Sequence, residues 1–190
     1  MPKLLKGRSF VNDRWSIVRA AASLVDVPGG VPVLVPLAFW QAHRAALRAR
    51  GAAGVWLAPA DDPGALAADL ATLHVIAVDF PSFTDGRGYS TARLLRERYG
   101  YTGELRAIGD ILRDQLFALA ECGFDAFALR ADREPADALR SFDDFPAGIY
   151  APTTRTPRPW FRRRDDAATA RSGGGDGAPA PLVDSNGPAR

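Results

Sequence analysis

The sequence predicts an α/β protein: about five parallel strands in βα repeats, with a β-hairpin in front and a disordered tail behind. Three observations carry that prediction. Short, continuous apolar runs recur about every twenty residues, as strands buried on both faces require. Segments of helical periodicity, bounded by caps and glycines, fill the gaps. Beyond Tyr150 both patterns stop.

In chain order, residues 3–19 alternate apolar and polar around Asn12-Asp13, a turn pair, which predicts a hairpin with Trp15 and Ile17 on one face. Pro28-Gly29-Gly30 marks a loop. Val31–Leu37 is the first buried strand, and helix Phe39–Arg50 follows, ended by Gly51. Gly54–Ala58 is the second strand. Asp61-Asp62-Pro63 then supplies an acidic cap and a first-turn proline for a helix to about Thr72. His74–Phe80 is the third strand, followed by helix Tyr89–Tyr99, capped by Ser90 and closed by Gly100. Glu104–Ile108 is the fourth strand, and Asp110 caps a helix ending at Gly123. Phe124–Leu129 is the fifth strand, and Pro135–Phe142 the last helix.

Right-handed crossovers make such repeats a parallel sheet. A full (β/α) barrel needs eight units and about 200 residues before any decoration, so an open or half-barrel-like sheet is expected. The predicted organisation is one domain over residues 1–150, with a hairpin at 3–19 and βα repeats at 31–145. A Pro/Arg-rich extension at 151–164 and a disordered tail at 165–190 follow.

Charge and composition exclude several classes. From Ala151 onward seven arginines face four aspartates, a balance of +3, whereas the preceding residues sum to −1. A near-neutral folded part argues against nucleic-acid binding, which needs a basic face. One cysteine, Cys122, excludes an internal disulfide and any cysteine-ligated cluster or zinc site built by this chain alone. With only His43 and His74, no metal site is expected. The N-terminus lacks a signal-peptide core, and the longest apolar run, Val31–Trp40, is broken by Pro32 and Pro36. The expected location is cytoplasmic, without membrane contact.

Candidate chemistry gathers where strands hand over to helices, the edge at which α/β proteins bind ligands. The loop Asp79–Ser90 holds Asp85, Arg87, Gly88 and Ser90. A helix N-terminus there, glycines allowing close approach and a two-pronged arginine would suit an oxyanion. A tight Asp-Gly turn with a solvated arginine reads the same residues without a ligand. Arg106 interrupts an apolar strand and so needs a partner, for which Asp79 on the neighbouring strand is the candidate. Asp110 and Arg113 open the next helix, and Asp85 or Asp110 beside arginines could serve as general base. Phe80, Phe83 and Tyr89 could stack on a planar ligand or pack the loop. Cys122, at a helix C-terminus, is poorly placed for a thiolate. Residues 155–164, RTPRPWFRRR, interleave Trp160 and Phe161 with arginines, suiting an acidic surface or a solvated linker. There is no nucleophile–base pair, dinucleotide fingerprint or P-loop.

Two motifs also carry a family resemblance. One is F-x-x-F-x-D-G-R-G-Y-S, on Phe80, Phe83, Asp85, Gly86, Arg87, Gly88, Tyr89 and Ser90. The other is L-R-A-x-G-D-x-x-x-D-Q, on Leu105, Arg106, Ala107, Gly109, Asp110, Asp114 and Gln115. Over Ile76–Arg130 the chain closely resembles DUF934, a bacterial family labelled as oxidoreductases of sulfite reduction. Its genes neighbour assimilatory sulfite reductase and other sulfate-assimilation genes. The resemblance is looser around Trp15 and ends by Arg164. It implies a role in sulfur assimilation and supplies no catalytic assignment. Two expectations follow. The first is an accessory protein that binds assimilatory sulfite reductase, its electron donor or a small oxyanion at the strand C-terminal edge. The second is a small enzyme acting on a phosphate-, sulfate- or sulfite-bearing molecule through Asp85, Arg87, Arg106, Asp110 and Arg113, with Asp79 beside them as a ligand-binding candidate. An externally supplied flavin or nicotinamide stays open for the latter.

Overall fold

A computed structural model describes residues 3–129 and 135–142. The extension 151–164 and the tail 165–190 lie outside the described residues. Eight strands form one sheet: β1 (Lys3–Lys6), β2 (Ser9–Asn12), β3 (Ser16–Ile17), β4 (Val33–Pro36), β5 (Ala53–Leu57), β6 (Val75–Phe80), β7 (Glu104–Gly109) and β8 (Ala126–Phe127). Their spatial order is β2-β1-β8-β7-β6-β5-β4-β3. The predicted βα repeats are β4 to β8, all parallel, and β3 adds a sixth parallel strand on β4. β1 joins β8 and β2 joins β1, both antiparallel.

This order dictates the shape of the sheet. β2 and β3 stand at its opposite edges, yet only Asp13, Arg14 and Trp15 lie between them. Four Cα steps reach at most ~15 Å, whereas seven interstrand gaps laid flat would span ~34 Å. The sheet therefore curls into an open half-barrel. The N-terminal segment is correspondingly not one hairpin over residues 3–19. Its turn falls at Gly7-Arg8, where Gly7 takes a positive φ of 57°, and the chain after Asn12-Asp13 crosses to the far edge.

Helices cover the convex face: α1 (Leu37–Arg50), α2 (Arg87–Arg93), α3 (Leu116–Glu121) and α4 (Pro135–Arg140). α1 buries Leu37, Phe39, Trp40 and Leu47 and stops where Gly51 turns left-handed at φ 69°. α2 continues as a widened turn, Leu94–Arg98, closed by Tyr99 N–H on the Leu94 carbonyl. The main core joins Val33, Val35, Val55, Leu57, Ile76, Val78, Phe80, Leu105, Ala107 and Phe127 to these helices. The alternate residues line the concave face, where Leu34, Val75, Ala77 and Ile108 are buried with Trp15, Ile17 and Trp56 against them. Trp15 and Ile17 share that face, as their spacing predicts.

Three predicted helices differ from the structure. Asp62 does cap, accepting from Gly64 N–H at 2.9 Å, and Pro63 follows it, but only the single turn Pro63–Leu66 forms before a series of turns to Thr72. Arg48 draws this segment onto α1, bonding the Ala68 carbonyl and the Asp69 carboxylate. Asp69 is wholly buried and also accepts from Trp40 Nε1 at 3.0 Å. Ser90 is no cap: α2 begins three residues earlier, with Gly86 at the N-cap. Asp110 does not cap α3 either, because its carboxylate is spent on another loop.

Candidate functional site

The two sequence motifs meet at the C-terminal ends of β6 and β7. The Asp110 carboxylate accepts the Phe83 N–H at 3.2 Å, and Gln115 Nε2 donates to the Phe83 carbonyl at 2.9 Å. Gln115 Oε1 in turn accepts the Leu112 N–H at 3.0 Å, so one amide ties its own turn to the opposite loop. The Asp110 N–H reaches the Phe80 carbonyl at 2.7 Å. The loop after β6 is thus clamped by its backbone, while the Phe83 ring stays 52% exposed. Phe80 lies beneath, edge-on to Tyr89 with ring centroids 5.6 Å apart.

Two of the three motif glycines, Gly88 and Gly109, are explained by packing. A Cβ on Gly88 would come within 2.5 Å of the Phe80 ring. Gly109, at φ 101°, would place one 2.3 Å from the Phe80 carbonyl oxygen. Gly88 is therefore a contact glycine, with the Phe80 ring occupying the space a ligand would need there.

Asp85 and Arg87 form a closed pair. Arg87 Nε and Nη2 donate to the two Asp85 oxygens at 3.0 and 2.6 Å, and the Arg87 N–H reaches Asp85 Oδ1 at 3.2 Å. The first turn of α2 thus already faces an anion, supplied by its own chain. The Arg87 guanidinium, and then its N–H, hold the Asp85 carboxyl below the usual range, and the Asp85 bond raises the Arg87 value. Arg113 lies in the single turn before α3, partly covered and also engaged. Ser90 is exposed on α2.

Arg106 does not join this rim. It points into the concave face, 1% exposed. Nη1 donates to both Asp13 oxygens at 2.9 and 2.8 Å, and Nε and Nη2 donate to Glu104 Oε1 at 3.0 and 2.6 Å. Lys6 pairs with Glu104 Oε2 at 2.7 Å. The expected Arg106–Asp79 pair is therefore absent. Asp13 reaches Arg106 instead because the crossing segment passes over the concave face, a consequence of the curl. Burial alone would raise the Glu104 pKa, but bonds from Lys6 and Arg106 outweigh it and lower the value. Two carboxylates and two cations balance, as a buried cluster requires.

Asp79 ends β6 on the same concave face. Its neighbour is Arg19, with Nη1 2.8 Å from Oδ1. That contact lacks the angle of a hydrogen bond, and Oδ1 is buried with no hydrogen-bond partner among the described residues. The Arg19 guanidinium also lies 5.2 Å from the centre of the Trp56 ring. Trp56 itself is fixed, donating Nε1–H to the Val18 carbonyl at 2.9 Å.

The structure thus joins Asp85, Arg87 and Asp110 through one loop, and separates Arg106 and Asp79 from them and from each other. Sequence reasoning missed Asp13, Arg19, Trp56, Asp69 and Gln115 as partners. Only Gln115 carried a signal, from its place in the second motif. At the other end of β7, Arg96 bonds the Gly123, Tyr101 and Gly103 carbonyls and pairs with Asp125, a strut remote from the rim. Burial raises the Cys122 thiol, which opposes thiolate chemistry. Among the described residues no group of three or more His, Cys, Asp or Glu could hold a metal, and no helix is long and apolar enough to cross a membrane.

No curated protein matches the chain. A family model does, over residues 54–161. That span runs from β5 through both rim motifs and leaves out the hairpin, β3, β4 and α1. It covers more than half of the 190 residues, and the chain accordingly belongs to DUF934, a family of bacterial proteins of unknown function.

Proposed function

We propose that this protein is a non-catalytic accessory of assimilatory sulfite reduction that docks on the sulfite reductase through the rim loop of residues 81–86. The pathway comes from the family resemblance. The docking mode is supported by one observation: Phe83 is a half-exposed aromatic on a backbone held from both sides by Asp110 and Gln115. A fixed aromatic anchor loses little conformational freedom on binding, which is how a few residues come to dominate an interface.

Electrostatics favours this reading over a sulfate- or sulfite-processing enzyme. Arg87 is matched to Asp85 and Arg106 to two carboxylates, so an oxyanion would have to displace a partner that already sits in bonding geometry. The deciding experiment is co-purification with the assimilatory sulfite reductase. Phe83→Ala is expected to weaken capture at least tenfold while leaving the thermal midpoint within a degree or two. A deletion strain that reduces sulfite at the normal rate ends the proposal.

A further inference from the structure

The mouth of the concave face holds a second arrangement that neither motif contains. Trp56 on β5 pairs in register with Ala77 on β6, and Asp79 is the next residue of β6 on that face. An indole face and a carboxylate therefore stand diagonally adjacent at the C-terminal ends of two parallel strands. That is where residues of open α/β sheets and barrels meet their ligands. Both groups are fixed: Trp56 by its bond to Val18, Asp79 by burial to 13% exposure. One Asp79 oxygen is buried and meets only Arg19 Nη1, at 2.8 Å but off hydrogen-bond geometry. A donor held off-angle stabilises a buried acceptor less than one that approaches in line. What covers it is Arg19, a side chain 51% exposed, over the ring but out of hydrogen-bond angle to the carboxylate.

We propose that Trp56 and Asp79 form a binding site for a small planar organic cation of the guanidinium class, and that Arg19 is its internal, displaceable occupant. The ring offers its negative face to a flat cation. The carboxylate offers two oxygens matched to paired N–H groups. Arg19 meets the first condition and only half of the second, so a free guanidinium able to approach Oδ1 in line does better. An ion pair whose cation stays half in water is a weaker latch than the buried pairs of Arg106, because solvent screens it. The site uses neither Phe83 nor the loop 81–86, and it stands or falls independently of the docking surface.

Agmatine, a guanidinium on a short flexible stem, is the probe, and calorimetric titration of the full chain is the measurement. Arg19→Ala is expected to bind agmatine at least tenfold more tightly than the unaltered protein. Adding Asp79→Asn to Arg19→Ala is expected to abolish that gain, with the thermal midpoint of each variant confirming that it is folded. Trp56→Leu in the Arg19→Ala background loses it as well. Ethylamine, which has charge without a plane, is expected to bind at least tenfold more weakly than agmatine. The proposal is overturned if Arg19→Ala binds agmatine no better than the parent. It is equally overturned if Asp79→Asn keeps the gain, or if ethylamine binds as well as agmatine.

Discussion

Two guanidinium–carboxylate groups share the concave face, and they differ in nearly every respect that matters. At Arg106 the cation is 1% exposed, its donors are spent on Asp13 and Glu104, and Lys6 balances the charge. At Arg19 the cation is half exposed, and a buried oxygen of Asp79 lacks a hydrogen bond. The first cluster ties Asp13, on the segment crossing between the sheet edges, to a central strand. The second links the chain just after edge strand β3 to β6, but through a cation that stays half in water. Saturation marks the structural pair, and an unmet acceptor behind a loose cation marks the one left for a ligand. A charge in an apolar strand is thus no guide to function until its partners are counted.

The contrast can be broken from its strong side first. Arg106→Ala strands the buried Asp13 carboxylate and leaves Glu104 with Lys6 alone, and losing one partner of a buried pair costs ~3–5 kcal/mol. Urea unfolding should show a midpoint lowered accordingly, or a chain that no longer folds. Next in size is an acid effect. Glu104 has a folded pKa below its ordinary 4.5. Its contribution is therefore present above pH 4.5 and disappears as the pH falls through the lowered value. Glu104→Gln should be less stable than the parent at pH 7, with the difference shrinking between pH 5 and 3 in paired urea titrations. A difference that stays constant over that range would remove Glu104 from the cluster's energetics. The smallest effect belongs to the loose pair: Arg19→Ala removes a cation already half in water and opens Asp79 to solvent, so it should cost ~1 kcal/mol, well below Arg106→Ala. A loss as large as that of Arg106→Ala would make Arg19 structural and erase the distinction.

Much of the scaffold was readable because it is local. The apolar runs around Val33–Val35 and Val75–Val78 are central strands. Gly51, Gly100 and Gly123 follow α1, the widened turn after α2, and α3, all at positive φ. The need of Arg106 for a partner was legible too, since an arginine in an apolar strand must be paired. The partner's identity was not, because Asp13 lies 93 residues away and meets it only through the curl of the sheet. The same holds for Asp110. Its place before a helix has the form of a cap, and only the neighbouring loop, 27 residues earlier, shows the Phe83 N–H as its target. Alanine-rich residues 64–72 have helical composition but yield to Arg48 and Trp40, whose demand on Asp69 no local pattern records.

The three-residue crossing has a consequence for synthesis. β1, at residues 3–6, is made long before its partner β8, at residues 126–127. The β1–β2 hairpin must wait, unpaired along one edge, until β8 is made. Contacts this distant in sequence slow folding, and waiting strand edges invite pairing with other chains. A nascent protein halted before β8 would carry that open edge into the cell, so making β8 and masking the edge are here the same event.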